Sequence, residues 1–160
     1  MQKSLSSHLN LDLINMNQLI VTSSAFKNNE QIPRIYTCDG EDVNPPLKID
    51  GVPQLTKSLV LIVDDPDAPM GNWEHWSVWN IAPTNKIDEN SVPGIEGLNN
   101  FKKHSYGGPC PPSGTHRYFF KVYALDLELS LPINSRKKDI EKAMSEHIVA
   151  KGELIGLYKR

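Results

Sequence analysis

Two short stretches hold most of the residue types that do chemistry. In the first, Asp64-Asp65-Pro66-Asp67-Ala68-Pro69, three carboxylates share a turn stiffened by two prolines, and His75 follows shortly after. In the second, Tyr106 to Tyr123, the run YGGPCPPSGTHRYFFKVY begins as a loop of glycines and prolines and ends as an aromatic, β-branched strand with His116 at the junction. Imidazoles and backbone N–H groups both donate hydrogen bonds, and glycines let the backbone approach a ligand, so Gly108-Pro109 with His75 and His116 can form a small anion pocket. Asp65 or Asp67 can orient a histidine or receive an ammonium group. Tyr106 and Tyr118 can add hydroxyl donors. This set of groups suits a phosphate monoester or a phosphorylated head group. Each piece also has an ordinary structural role. The aspartates can cap their own turn as an Asx-turn, and His75 beside Trp76 and His116 beside Arg117 can be packed core residues.

The elements that would position these groups are mostly strands. Ser58 to Val63 is a continuous apolar run that reads as a central strand buried on both faces. It runs directly into the aspartate turn. Glu74 to Ile81 resumes strand character, and Arg117 to Leu127 continues the strand that follows the Gly/Pro loop. Leu19 to Thr22 reads as a first strand, Asp39-Gly40 as a turn, and residues 83–100 as a long surface connection. Lys137 to Ala150 has near-helical apolar spacing, with Asn134 or Ser135 as N-cap and Gly152 as terminator, and residues 153–158 read as a last short strand. The sum is a β-sandwich with a peripheral helix.

The bulk properties narrow the function classes. At 160 residues the chain can bury one core, and its 39% hydrophobic and 22% charged composition is that of a globular domain. A net charge of -2 argues against general nucleic-acid binding. No apolar run reaches the roughly 20 residues that span a membrane. Residues 1–16 read as a tail without the continuous apolar segment of a signal peptide, which makes a cytoplasmic location the default. Cys38 and Cys110 have no zinc spacing; in a reducing compartment they are expected free rather than paired, but both lie in Gly/Pro-rich loops that the fold can bring together, which leaves a disulfide open. No serine lies in a nucleophile-elbow pattern and no HExxH occurs.

Four stretches carry a family resemblance: IPRIYTCDGEDVNPPL (32–47), LVLIVDDPDAP (59–69) with EHW (74–76), YGGPCPPSGTHRYFFKVYAL (106–125) and KGELIGLYKR (151–160). Together they resemble the phosphatidylethanolamine-binding protein family, also called Raf kinase inhibitor proteins, and more finely its bacterial YbhB/YbcL-type branch. The resemblance covers roughly residues 17–160 and implies a mainly β fold, a sandwich of two antiparallel sheets with a C-terminal helix. It also implies a surface cavity for phosphate and phosphoryl head groups, lined by Asp65, Asp67, Pro69, His75, Tyr106, Gly108, Pro109, His116 and Tyr118, with Arg117 bracing the loop by ion pairing. The leading reading is a non-enzymatic, regulatory binding module without cofactor, metal or catalytic residue and open to a protein partner; the resemblance implies a homodimer but does not by itself decide the function. The alternatives are a hydrolase, or a protease or kinase inhibitor, working through the same pocket or its rim.

Overall fold

The computed structural model describes residues 18–160. The tail expected over residues 1–16 lies outside them. Among the described residues nine strands and one α-helix follow in the order β1 (Ile20–Thr22), β2 (Glu30–Gln31), β3 (Leu47–Asp50), β4 (Ser58–Asp65), β5 (Trp73–Ile81), β6 (Lys86–Ile87), β7 (Ile95–Glu96), β8 (Thr115–Leu125), α1 (Lys137–Met144) and β9 (Ile148–Lys159). They form a three-stranded sheet, β1-β3-β6, and a six-stranded sheet, β2-β9-β8-β4-β5-β7. All pairings are antiparallel except that of β2 with β9.

Strand β4 is buried along its whole length, as its apolar run requires. Side chains alternate across a strand, so β4 serves two cores. Leu59, Leu61 and Val63 pack with Val21, Ile49, Phe120 and Val122 between the two sheets. Val60 and Ile62 pack on the other face with Trp79, Leu125, Ile140 and Met144, the last two from α1. The alternation continues into the turn. Asp64 points to the helix side, where it meets Lys121 and Lys137. Asp65 points to the inter-sheet side, where it meets His116.

The helix is shorter than its apolar spacing suggests. It ends at Met144, and β9 runs from Ile148 through Gly152 to Lys159. Residues 148–150 pair with Leu125 and Ala124 of β8, and this ladder, together with the β-branched Ile148 and Val149, outweighs helical continuation. Gly152 is therefore no helix terminator. A Cβ there would lie 2.1 Å from the carbonyl oxygen of Leu19, so glycine allows a close backbone approach at that point. The helix start is capped from outside: the Glu74 carboxylate accepts the Lys137 N–H at 2.8 Å and the Arg136 guanidinium at 2.8 Å. The 83–100 connection contains the short strands β6 and β7 and buries Ile87, so part of it is core.

Candidate functional site

The aspartate turn, the start of β5 and the loop before β8 converge on one cavity of about 230 Å³, lined by Asp65, Ala68, Pro69, Met70, Trp73, His75, Phe101, Cys110, Pro111, Pro112, His116 and Tyr118. Its wall is largely apolar, and its polar side-chain groups are the Asp65 carboxylate, the two imidazoles and the Trp73 indole N–H.

Asp65 fills both roles that its sequence allows. Its Oδ1 accepts the Asp67 N–H at 2.8 Å, closing the turn, and its Oδ2 accepts the Nδ1–H of His116 at 2.6 Å. The second bond leaves Nε2 of His116 as the ring nitrogen free for the cavity. Asp67, in contrast, is taken up by Arg117: its carboxylate accepts two guanidinium bonds and the Arg117 backbone N–H, each at 2.9 Å. The guanidinium beside it holds the Asp67 carboxyl below the usual carboxylate range. Arg117 thus braces the turn by the ion pair expected for it.

His75 reaches the cavity through a bulge. Val63 of β4 pairs with Trp76, but Asp64 pairs with Glu74, so His75 is one extra residue on β5. Strict alternation would send His75 and Trp76 to opposite faces. The bulge lets Trp76 stay in the inter-sheet core while His75 lines the cavity. Its Nδ1–H donates to the Gly107 carbonyl at 2.7 Å, and the Gly107 N–H donates back to the His75 carbonyl at 3.1 Å. Burial pushes the His75 pKa down, against the pull of that carbonyl and of Asp65. Its ring meets those of Phe101 and Tyr118 edge-on. Tyr118 is fully buried, its hydroxyl is sealed beside the Cys110 backbone, and burial raises its pKa.

Of the nine residues expected at the pocket, Asp65, Pro69, His75, His116 and Tyr118 line it. Asp67, Tyr106, Gly108 and Pro109 do not, because each is committed to scaffolding. The Gly108 N–H, expected to face an anion, donates to Asp42 Oδ1 at 2.7 Å. The Tyr106 hydroxyl donates to the Tyr36 carbonyl at 2.7 Å, and the Pro109 carbonyl accepts the Cys38 N–H at 3.1 Å. The last three bonds stitch the 106–114 loop to the 34–42 loop.

At the same seam Cys38 and Cys110 form a disulfide, which corrects the expectation that both are free. That expectation rested on compartment. The fold instead brings two loops 72 residues apart in sequence to a Cα separation of 5.5 Å. Sequence reading also missed the apolar wall of Met70, Trp73, Phe101, Pro111 and Pro112. The doubled proline was its one visible sign. Phe101 comes from just past the 83–100 connection, and nothing local marks it as a pocket residue.

Comparison with known proteins gives the family and the fold. The phosphatidylethanolamine-binding protein family profile matches residues 22–159. The chain belongs to the phosphatidylethanolamine-binding protein family. It is 52% identical over 150 residues to UPF0098 protein PH1269 of Pyrococcus horikoshii, covering 86% of this chain and 75% of that protein. It is 50% identical to a UPF0098 protein of Aquifex aeolicus, covering 88% of each. Among solved structures, the phosphatidylethanolamine-binding protein homologue CT736 of Chlamydia trachomatis superposes with a TM-score of 0.86 at 41% identity, covering 90% of this chain and 99% of that one. Escherichia coli YbcL superposes with a TM-score of 0.82 at 30% identity, covering 89% and 99%. The sandwich of two sheets expected from the sequence is thus the family fold, and among the described residues no helix is long and apolar enough to cross a membrane.

Proposed function

We propose that this chain is a binding module for a phosphoryl group attached to an apolar body. The observation that carries the reading is the pairing of opposites in one cavity. Two imidazoles with their Nδ1 atoms already committed sit within walls of proline, tryptophan, phenylalanine and methionine. The apolar wall favours a ligand whose phosphoryl group is joined to an apolar or aromatic body.

Calorimetric titration with phenyl phosphate tests this, with inorganic phosphate as the ligand lacking the apolar part. Saturable binding that is tighter for phenyl phosphate supports the reading. Absence of binding by either compound rejects it.

One feature favours a second reading, hydrolysis: the Asp65–His116 pair has the geometry of an oriented general base. The cavity's own sulfur nucleophile, Cys110, is tied up in the disulfide, so water would have to be the attacking group. Release of phenol from phenyl phosphate, abolished in His116→Ala, would favour hydrolysis over simple binding. The homodimer and the protein partner implied by the family resemblance stand as proposals, testable by light scattering on the purified chain and by pull-down with and without phosphate.

A further inference from the structure

The hydrogen positions at the cavity floor have a consequence for what can bind. A carbonyl oxygen only accepts, so His75 Nδ1, 2.7 Å from the Gly107 carbonyl, must carry hydrogen. The reciprocal Gly107 N–H bond holds this arrangement, and Gly107 has no room to move toward Phe101, whose ring atoms lie 2.5 Å from where its Cβ would be. In a neutral imidazole the other nitrogen, Nε2, is then a bare lone pair. Among the described residues Nε2 of His75 meets no hydrogen-bond partner of good geometry, although the Gly108 backbone lies near the ring. It is not one of the sealed, unpaired atoms of the interior, so it opens onto the cavity that His75 lines. His116 has the same arrangement, with Nδ1–H on Asp65 and Nε2 free.

Among the described residues, the groups around His75 bring an anion no fixed positive charge, and the Trp73 indole N–H is a neutral donor on the same cavity wall. Asp65 faces His75 from β4, with the Asp64 charge behind on the helix side; His116 and Tyr118 face it from β8, and the Gly107 and Gly108 backbone from the loop. Among the described residues no lysine or arginine lines the cavity. A phosphoryl oxygen placed against the Nε2 lone pair, with the Asp65 carboxylate nearby, is repelled unless a hydrogen lies between oxygen and nitrogen.

We propose that the cavity takes a phosphomonoester together with a proton, shared between a phosphoryl oxygen and Nε2 of His75, so that a fully ionised ligand binds only as the protein draws a proton from solvent. This rests on the anion-binding reading above. Burial, which disfavours protonation of the empty site, makes the proton arrive with the ligand rather than before it. No covalent bond is made or broken, and one proton moves from buffer to the complex.

The test is calorimetric titration with phenyl phosphate in buffers of different ionisation enthalpy, which counts protons exchanged. A phosphomonoester loses its second proton near pH 6, so at about pH 8 it is a dianion. Uptake of about one proton per ligand is expected there, with Kd rising up to about tenfold per pH unit as pH increases. Near pH 5 the ligand brings its own proton and net uptake falls toward zero. In His75→Gln an amide N–H can donate without titrating, and uptake at about pH 8 is expected to fall by half or more. If that variant does not fold, the nitrogen shift of His75 Nε2 in the wild-type complex, moving from unprotonated to protonated character on binding, reads the same event. Binding at about pH 8 without proton uptake overturns the inference and leaves the anion reading standing, as does uptake unchanged in a folded His75→Gln. Absence of binding at any pH removes both.

Discussion

The carboxylate of Asp65 closes its own turn with one oxygen and holds the His116 ring, 51 residues away in sequence, with the other at 2.6 Å. Both side chains are nearly inaccessible, at 9% for His116 and 4% for Asp65. The bond therefore does two things at once. It satisfies a buried carboxylate and points Nε2 of His116 at the cavity. His116→Ala would break both: a stability loss of about 1–3 kcal/mol from the carboxylate oxygen left unpaired, and at least a tenfold loss in affinity for phenyl phosphate, roughly 1.4 kcal/mol. Urea denaturation and calorimetry read the two effects separately. Unchanged affinity in a folded His116→Ala would show that His116 does not touch the ligand.

Gly108 is expected to matter for fit, not for donating its N–H to a ligand. A Cβ at this position would lie 2.3 Å from the Tyr36 carbonyl oxygen, 2.5 Å from Asp42 Oδ1 and 2.9 Å from Thr37 Cα. Backbone lies on two of those three sides, so the loops must separate. Gly108→Ala should cost roughly 1–3 kcal/mol, the usual range for overpacking. Because Cys110, Pro111 and Pro112 follow directly in the same loop, ligand affinity should fall with it. A denaturation midpoint equal to wild type would mean that the two loops are not packed together as described.

The Cys38–Cys110 bond closes a loop of 72 residues, for which the chain-entropy estimate is about 4 kcal/mol. Three hydrogen bonds cross the same seam: Cys38 N–H to Pro109, Gly108 N–H to Asp42 and the Tyr106 hydroxyl to Tyr36. The Cys38→Ser, Cys110→Ser double variant should therefore fold and keep its cavity, with stability lowered by up to about 4 kcal/mol. Denaturation of this variant and of wild type, with and without reductant, checks the point. Wild type should respond to reductant and the variant should not. Equal stability of oxidised wild type and the variant would count against the bond.

The parts of the fold that sequence patterns could reach were those set locally. The apolar run at residues 58–63 needed no partner to be read as a doubly buried strand, and β4 is buried throughout. The Gly/Pro loop followed by aromatic residues marked the entry to β8. What failed was decided at long range. Gly152 was read as a helix stop, but its absence of side chain answers to Leu19, more than a hundred residues away. Helical spacing over residues 145–150 lost to pairing with β8. At the site, the chemistry of Asp65, His75 and His116 was legible from residue type. The bulge that turns His75 inward was not, since it exists only in the register of β5 against β4. Asp67, Tyr106 and Gly108 have the right chemistry for a ligand but spend it on Arg117, Tyr36 and Asp42, choices that only the packed loops make.

His75 also ties stability to pH. Unfolded, its imidazole takes up a proton near 6.5, whereas folded it does so only at lower pH because burial disfavours the cation. Above about pH 6.5 both states are neutral at this residue and it contributes nothing to the pH dependence. Below that value, down to the lower folded pKa, the unfolded chain holds more protons than the folded one. Stability then falls as pH falls, by at most about 1.4 kcal/mol per pH unit from this one group. Asp67, whose folded pKa is also depressed, acts in a separate window: its contribution is present above its ordinary value of 3.8 and is lost at lower pH. The two can be told apart by comparing wild type with His75→Gln in urea at about pH 8 and about pH 5. The stability difference between the two proteins should shift in favour of the variant at the lower pH, because glutamine binds no proton in either state. A difference that stays constant across that range would mean that His75 titrates alike in the folded and unfolded chains, and that the cavity does not hold its ring neutral.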